Sequence, residues 1–152
     1  MTKAETIRII KKIDALWIGK LRLESFEVVV EEWHEFFANV HVECVKDAIK
    51  AYSEKGSPFP PTAPEIMDFV VKEQAKAYPS PESFVHDVRT AVVHFGSHNT
   101  EDAKAFLGTD AWKAAISVAP WQAHCNKINE AKLKSAWEYH VRQMIKKKME
   151  DK

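Results

Sequence analysis

The ten residues from Ser57 to Ile66 read Ser-Pro-Phe-Pro-Pro-Thr-Ala-Pro-Glu-Ile and hold four of the seven prolines in the chain. Pro58, Pro60 and Pro61 lock φ at about −65° and push each preceding residue out of the α region. The backbone between Gly56 and Thr62 is therefore expected to be extended, of the polyproline type. After it the signals reverse. Thr62 can cap a helix, Glu65 completes a capping box, and Pro64 falls in the first turn, where a missing N–H is no loss. Phe59 is the single large apolar side chain in the rigid stretch and is expected to anchor it against neighbouring helices. Such a segment restricts the chain to helices joined by a stiff connector.

Punctuation of the same kind recurs. The four glycines, Gly19, Gly56, Gly96 and Gly108, all stand where a helix should end. Thr2 and Glu5 form a capping box ahead of Ile9, Ile10, Ile13, Leu16 and Trp17, which share one helical face. Ser25 precedes Phe26, Val29, Val30, Trp33, Phe36, Phe37 and Val40 at the same spacing. Val28-Val29-Val30 alone would suit a strand, but the flanking glutamates and the continuing period favour helix. A third helix is expected from Val42 to Lys55, with Val45, Ala48, Ile49 and Tyr52 inward. A fourth runs through Ile66, Phe69, Val70 and Ala77.

Pro79-Ser80-Pro81 is the second break, with Ser80 as cap and Pro81 at the first helical position. Phe84, Val88, Ala91, Val92 and Phe95 mark a fifth helix ending at Gly96. Thr100 opens a sixth ending at Gly108, and Thr109 or Asp110 caps a stretch carrying Trp112, Ala115, Ile116 and Ala119. A long last helix is expected to begin near Pro120 or Asn129 and to carry Ala136, Trp137, Val141, Met144 and Ile145. No stretch sustains a period of two. The expected fold is all-α, roughly 65–75% helix, in two small helical bundles joined near Pro79–Pro81. The N-terminal domain would cover 1–78 and a C-terminal helical region 80–152.

With 152 residues the chain is long enough to bury a core without disulfides or metal. Its 22 basic and 22 acidic residues cancel, so no whole-molecule cationic field exists for nucleic acid. Charge is nevertheless uneven. Residues 21–45 set Arg22 against six glutamates, whereas Leu133 to Lys152 carries six basic residues against three acidic. Cys44 and Cys125 are far apart and outside any CxxC pattern, which suits inert thiols of a reducing compartment. The N-terminus lacks the apolar core of a signal peptide, and no run reaches a membrane-spanning length. A soluble protein of the host bacterial cytoplasm, with no membrane contact, is expected.

Catalytic patterns are missing. Neither a GxxxxGK phosphate loop nor GxGxxG occurs, and His34-Glu35 lacks the second histidine of HExxH. His41 with Cys44 and His124 with Cys125 hold zinc-type ligands, but both cysteines suit core packing better. His86, His94 and His98 read as helix-terminal cations. Glu27, Glu31 and Glu35 form a solvated stripe. No enzyme, metal or cofactor is expected.

The candidate partner surface lies on the last helices. Arg142, Lys146, Lys147 and Lys148 follow the aromatic pair Trp137 and Tyr139. Trp121, beside Pro120 at a helix start, is expected at an interface, because tryptophan is enriched among binding hot spots. The same basic helix could instead meet single-stranded nucleic acid, where stacking and charge cooperate.

Taken in order, Met1-Thr-Lys-Ala-Glu-Thr-Ile-Arg-Ile-Ile, the tryptophan-bearing Val30-Glu-Glu-Trp33, Val45-Lys-Asp-Ala-Ile49 and Phe59-Pro-Pro-Thr-Ala-Pro-Glu-Ile66 form a pattern. It resembles the bacteriophage replicative-helicase loader/inhibitor family over roughly residues 1–72. The resemblance implies a small helical protein that binds a hexameric replicative helicase of phage or host, restrains it, and delivers it to an origin marked by an initiator protein. Trp17-Ile-Gly-Lys-Leu21 departs from the proline and aromatic that family members often carry after the first helix. The second half also departs, being patterned as folded helices where small members carry a flexible tail. Two other readings stand beside this one: a DNA-binding replication or regulatory protein using the basic C-terminal helix, and a phage inhibitor of another host protein.

Overall fold

The computed structural model describes residues 1–18 and 25–151. Among them nine helices form and no strand, and helix accounts for 77% of the structure, slightly above the expected range. Gly19, Leu21 and Arg22 lie outside the described residues. The chain divides into two compact units. Unit 1 comprises Met1–Gln74 with Lys146–Lys152, and unit 2 comprises Ala75–Ile145. The division thus falls at Gln74, ahead of the Pro79–Pro81 break, and the end of the last helix groups with unit 1.

Unit 1 is built from α1 (Lys3–Leu16), α2 (Phe26–Phe37), α3 (Val42–Glu54) and α4 (Ala63–Ala75, whose last residue falls in unit 2). The expected capping box opens α1: Thr2 Oγ1 accepts from the Glu5 N–H, and the Glu5 carboxylate accepts from the Thr2 N–H at 2.7 Å. Ile9, Ile10, Ile13 and Trp17 then face Val30, Trp33 and Phe37 of α2 and Val45, Ala48, Ile49 and Tyr52 of α3 in one apolar core. The valine run of α2 is helical. Phe36, expected inside with Phe37, is half exposed, because adjacent residues on a helix point about 100° apart and only one can face the core. The imidazole of His41 caps α3 by accepting from the Glu43 N–H.

The proline connector is held from one side. Trp17 Nε1–H donates to the Ser57 carbonyl at 3.0 Å, and the Tyr52 hydroxyl donates to Ser57 Oγ at 3.3 Å. Pro61 is buried. Phe59, expected to be the anchor, is 71% exposed. A polyproline backbone has about three residues per turn, so a segment that seats Ser57 and Pro61 turns Phe59 outward. At the start of α4 the Glu65 carboxylate accepts from both the Thr62 N–H and hydroxyl at 2.8 Å.

Unit 2 holds α5 (Pro81–Phe95), α6 (Thr100–Leu107), α7 (Thr109–Val118), α8 (Trp121–Asn126) and α9 (Glu130–Glu150), the end of α9 returning to unit 1. Ser80 Oγ caps α5 by accepting from the Ser83 N–H at 3.1 Å, with Pro81 in the first turn as expected. Gly108 passes from α6 to α7 at φ +77°, a left-handed conformation that a side chain would strain. The two expected starts for the last helix are both used. Pro120 opens the short α8, and Asn129 Oδ1 accepts from the Lys132 N–H as α9 begins.

Candidate partner-binding surface

The tryptophans sort by what their single N–H can reach. Trp121 is 2% exposed and donates to the Gly96 carbonyl at 2.9 Å. Trp137 is 5% exposed, stacks on Phe84 at 4.8 Å, and donates to the Pro79 carbonyl at 2.8 Å. Both were expected at an interface and both are core residues of unit 2. The reason is chemical: a helix end or proline turn leaves a carbonyl without an intrahelical donor, and a buried indole supplies one while filling volume. Proximity to Pro120 signalled a chain reversal to be pinned.

Of the remaining candidates, Tyr139 is 66% exposed, and Arg142, Lys146, Lys147 and Lys148 are exposed along α9. Tyr139 and Arg142 belong to unit 2, whereas the three lysines belong to unit 1. They are therefore two surfaces.

Unit 1 carries an apolar surface that periodicity did not reveal. Leu16 and Ile18, at the end of α1, are 48% and 86% exposed, and both line a cleft of about 310 Å³ with Trp17, Ser53, Ser57 and Pro58. Exposed Phe59 follows Pro58 directly. Ile18 has φ +37°, a region unfavourable to β-branched residues. Scattered apolar exposure is ordinary, but several large side chains around one cleft mark an interaction site. The available signal was Phe59 itself, a phenylalanine between prolines with no helical face to join.

His86, His94 and His98 are exposed. His124 is buried with Nε2 2.9 Å from the Ala115 carbonyl, and burial pushes the neighbouring Cys125 thiol up. His41 and Cys44 fall in unit 1, His124 and Cys125 in unit 2; among the described residues no three His, Cys, Asp or Glu side chains gather to hold a metal ion. Within the acidic stripe, Glu31 pairs with Lys3 at 3.1 Å. No helix among the described residues is long and apolar enough to cross a membrane.

These features define an all-helical protein whose exposed chemistry is that of a binding surface. Residues 1–67 match the family model G39P_N, the N-terminal domain of the phage SPP1 helicase loader, so through its first unit the chain belongs to the phage helicase-loader family. The matched residues include the capped α1, the tryptophan of α2 and the proline connector. No curated protein and no solved structure matches the chain.

Proposed function

We propose that this protein is a non-enzymatic adaptor for a hexameric replicative helicase. It would occupy a helicase surface, hold the ring inactive, and release it at an origin on meeting an initiator protein. The observation that carries the reading is the family match over residues 1–67. The cleft at the proline connector lies inside that stretch and supplies a plausible contact: Phe59, Leu16 and Ile18 offer apolar area on a backbone already rigid. Little conformational entropy is lost on binding there. Tyr139, with Arg142 one turn along α9, is the second contact we assign to a protein partner.

The test is a titration of phage and host replicative helicases with the intact protein, Phe59→Ala, and Tyr139→Ala/Arg142→Ala. Binding by the intact protein, weakened by either variant, supports the adaptor reading. Absence of binding to any replicative helicase would end it. A nucleic-acid reading draws on the exposed Lys146, Lys147 and Lys148. Its signature is an affinity that falls steeply with salt.

A further inference from the structure

Unit 2 contains a cavity of about 290 Å³ bounded by α5, the α6–α7 junction and α9. Pro79, Phe84, Leu107, Trp137 and Met144 give it apolar walls. Two carboxylates line it as well, Asp87 of α5 and Asp110 of α7. Local structure accounts for only one of them. Asp110 sits in the first turn of α7, where the helix dipole favours an anion. Asp87 stands in the interior of α5, where no dipole helps it and aspartate is a poor helix former.

Nor does the chain supply a fixed cation. Among the described residues Asp87 has no hydrogen bond or ion pair. Asp110 has His140, whose Nε2 lies 3.5 Å from Oδ1 and is charged only when the ring is protonated. Basic side chains on the same helices are engaged elsewhere: Lys134 pairs with Glu82 at 3.0 Å, and Arg89 with Glu130.

Apolar walls with two uncompensated carboxylates suit one kind of occupant. The methylene stem of a lysine or arginine gains from lying along apolar surface, while its head forms charge-assisted hydrogen bonds with carboxylates. A wholly apolar group would strip water from the two acids and offer no partner in return. An anion would be repelled. We propose that this cavity receives a basic side chain, an arginine or a lysine, presented by a protein partner.

The experiment is an NMR titration of the full chain with N-acetyl-arginine amide, N-acetyl-lysine amide and the neutral N-acetyl-norleucine amide. The expected result is a saturable shift of the Trp137 indole N–H and the Asp110 amide with the two basic probes and a much smaller one with norleucine. In Asp87→Asn/Asp110→Asn the affinity for the arginine probe should fall about tenfold, the equivalent of one charge-assisted hydrogen bond. Equal shifts with norleucine, no shift with any probe, or an unchanged affinity in the folded double variant would each overturn the proposal. The comparison of basic with neutral probes uses the unmodified chain, so it decides the matter even if the double variant does not fold.

Discussion

Trp17, Trp121 and Trp137 each bury an indole and direct its N–H to a carbonyl where the chain leaves or has not yet entered a helix, at Ser57, Gly96 and Pro79. Trp137→Ala should therefore cost about 3–5 kcal/mol in a denaturation series, and Trp137→Phe about 1 kcal/mol if most of the loss is the single hydrogen bond. Phe59 has the opposite fate. Because it is 71% exposed, Phe59→Ala should change stability by less than about 0.5 kcal/mol. If it is the partner contact proposed above, the same substitution should cost about 2 kcal/mol in helicase affinity. A large stability loss with unchanged affinity would contradict both statements. At this scale the sequence was legible for Ile9, Ile13, Val45 and Ile49, whose spacing leaves one possible face. It was illegible for the tryptophans, because both readings need a large aromatic beside a turn, and only three-dimensional packing decides whether a carbonyl waits for the indole.

Helix starts were the most legible elements, since each is written in a side chain that bonds its own backbone. Thr2 with Glu5, Ser80 with Pro81, and Thr62 with Glu65 all cap as their spacing implies. Ser80→Ala should destabilise by about 1 kcal/mol, read as a shift in the denaturation midpoint. The Glu5 box carries a pH signature. Hydrogen bonds from the Thr2 backbone N–H, then from its hydroxyl, hold the Glu5 carboxyl below its usual range. A carboxylate favoured in the folded state stabilises above its unfolded pKa, about 4.3, and that contribution disappears as the pH falls through the lower folded value. The stability gap between the natural chain and Glu5→Gln should thus be present at neutral pH and shrink below about pH 4.3 in thermal melts. A gap constant with pH would mean the carboxylate charge plays no part. Helix ends were harder to read. Gly96 and Gly108 sit at the ends of α5 and α6 as expected, whereas the break between α8 and α9 has no glycine and depends on Asn129.

At the scale of the molecule, two halves were visible in the proline breaks, but not that Lys146–Lys152 would group with unit 1. The reason lies in Met149, which packs against the core of unit 1 from the end of a helix that began in unit 2. Periodicity shows which residues of a helix turn inward without showing which core receives them. The consequence for function concerns the lysines beside it. Lys146, Lys147 and Lys148 are exposed around a buried attachment, so their charge is held in a defined place. If they meet single-stranded nucleic acid through three phosphates, log affinity should fall with log salt at a slope of about −2. An apolar contact through Phe59, Leu16 and Ile18 should change far less over the same range. Helicase binding measured from about 50 to 200 mM salt is expected to follow the flat course, with Lys146→Ala/Lys147→Ala/Lys148→Ala slowing association more than it speeds dissociation. A steep slope that the triple substitution abolishes would move the centre of activity from the proline connector to the end of α9, and from a protein partner to nucleic acid.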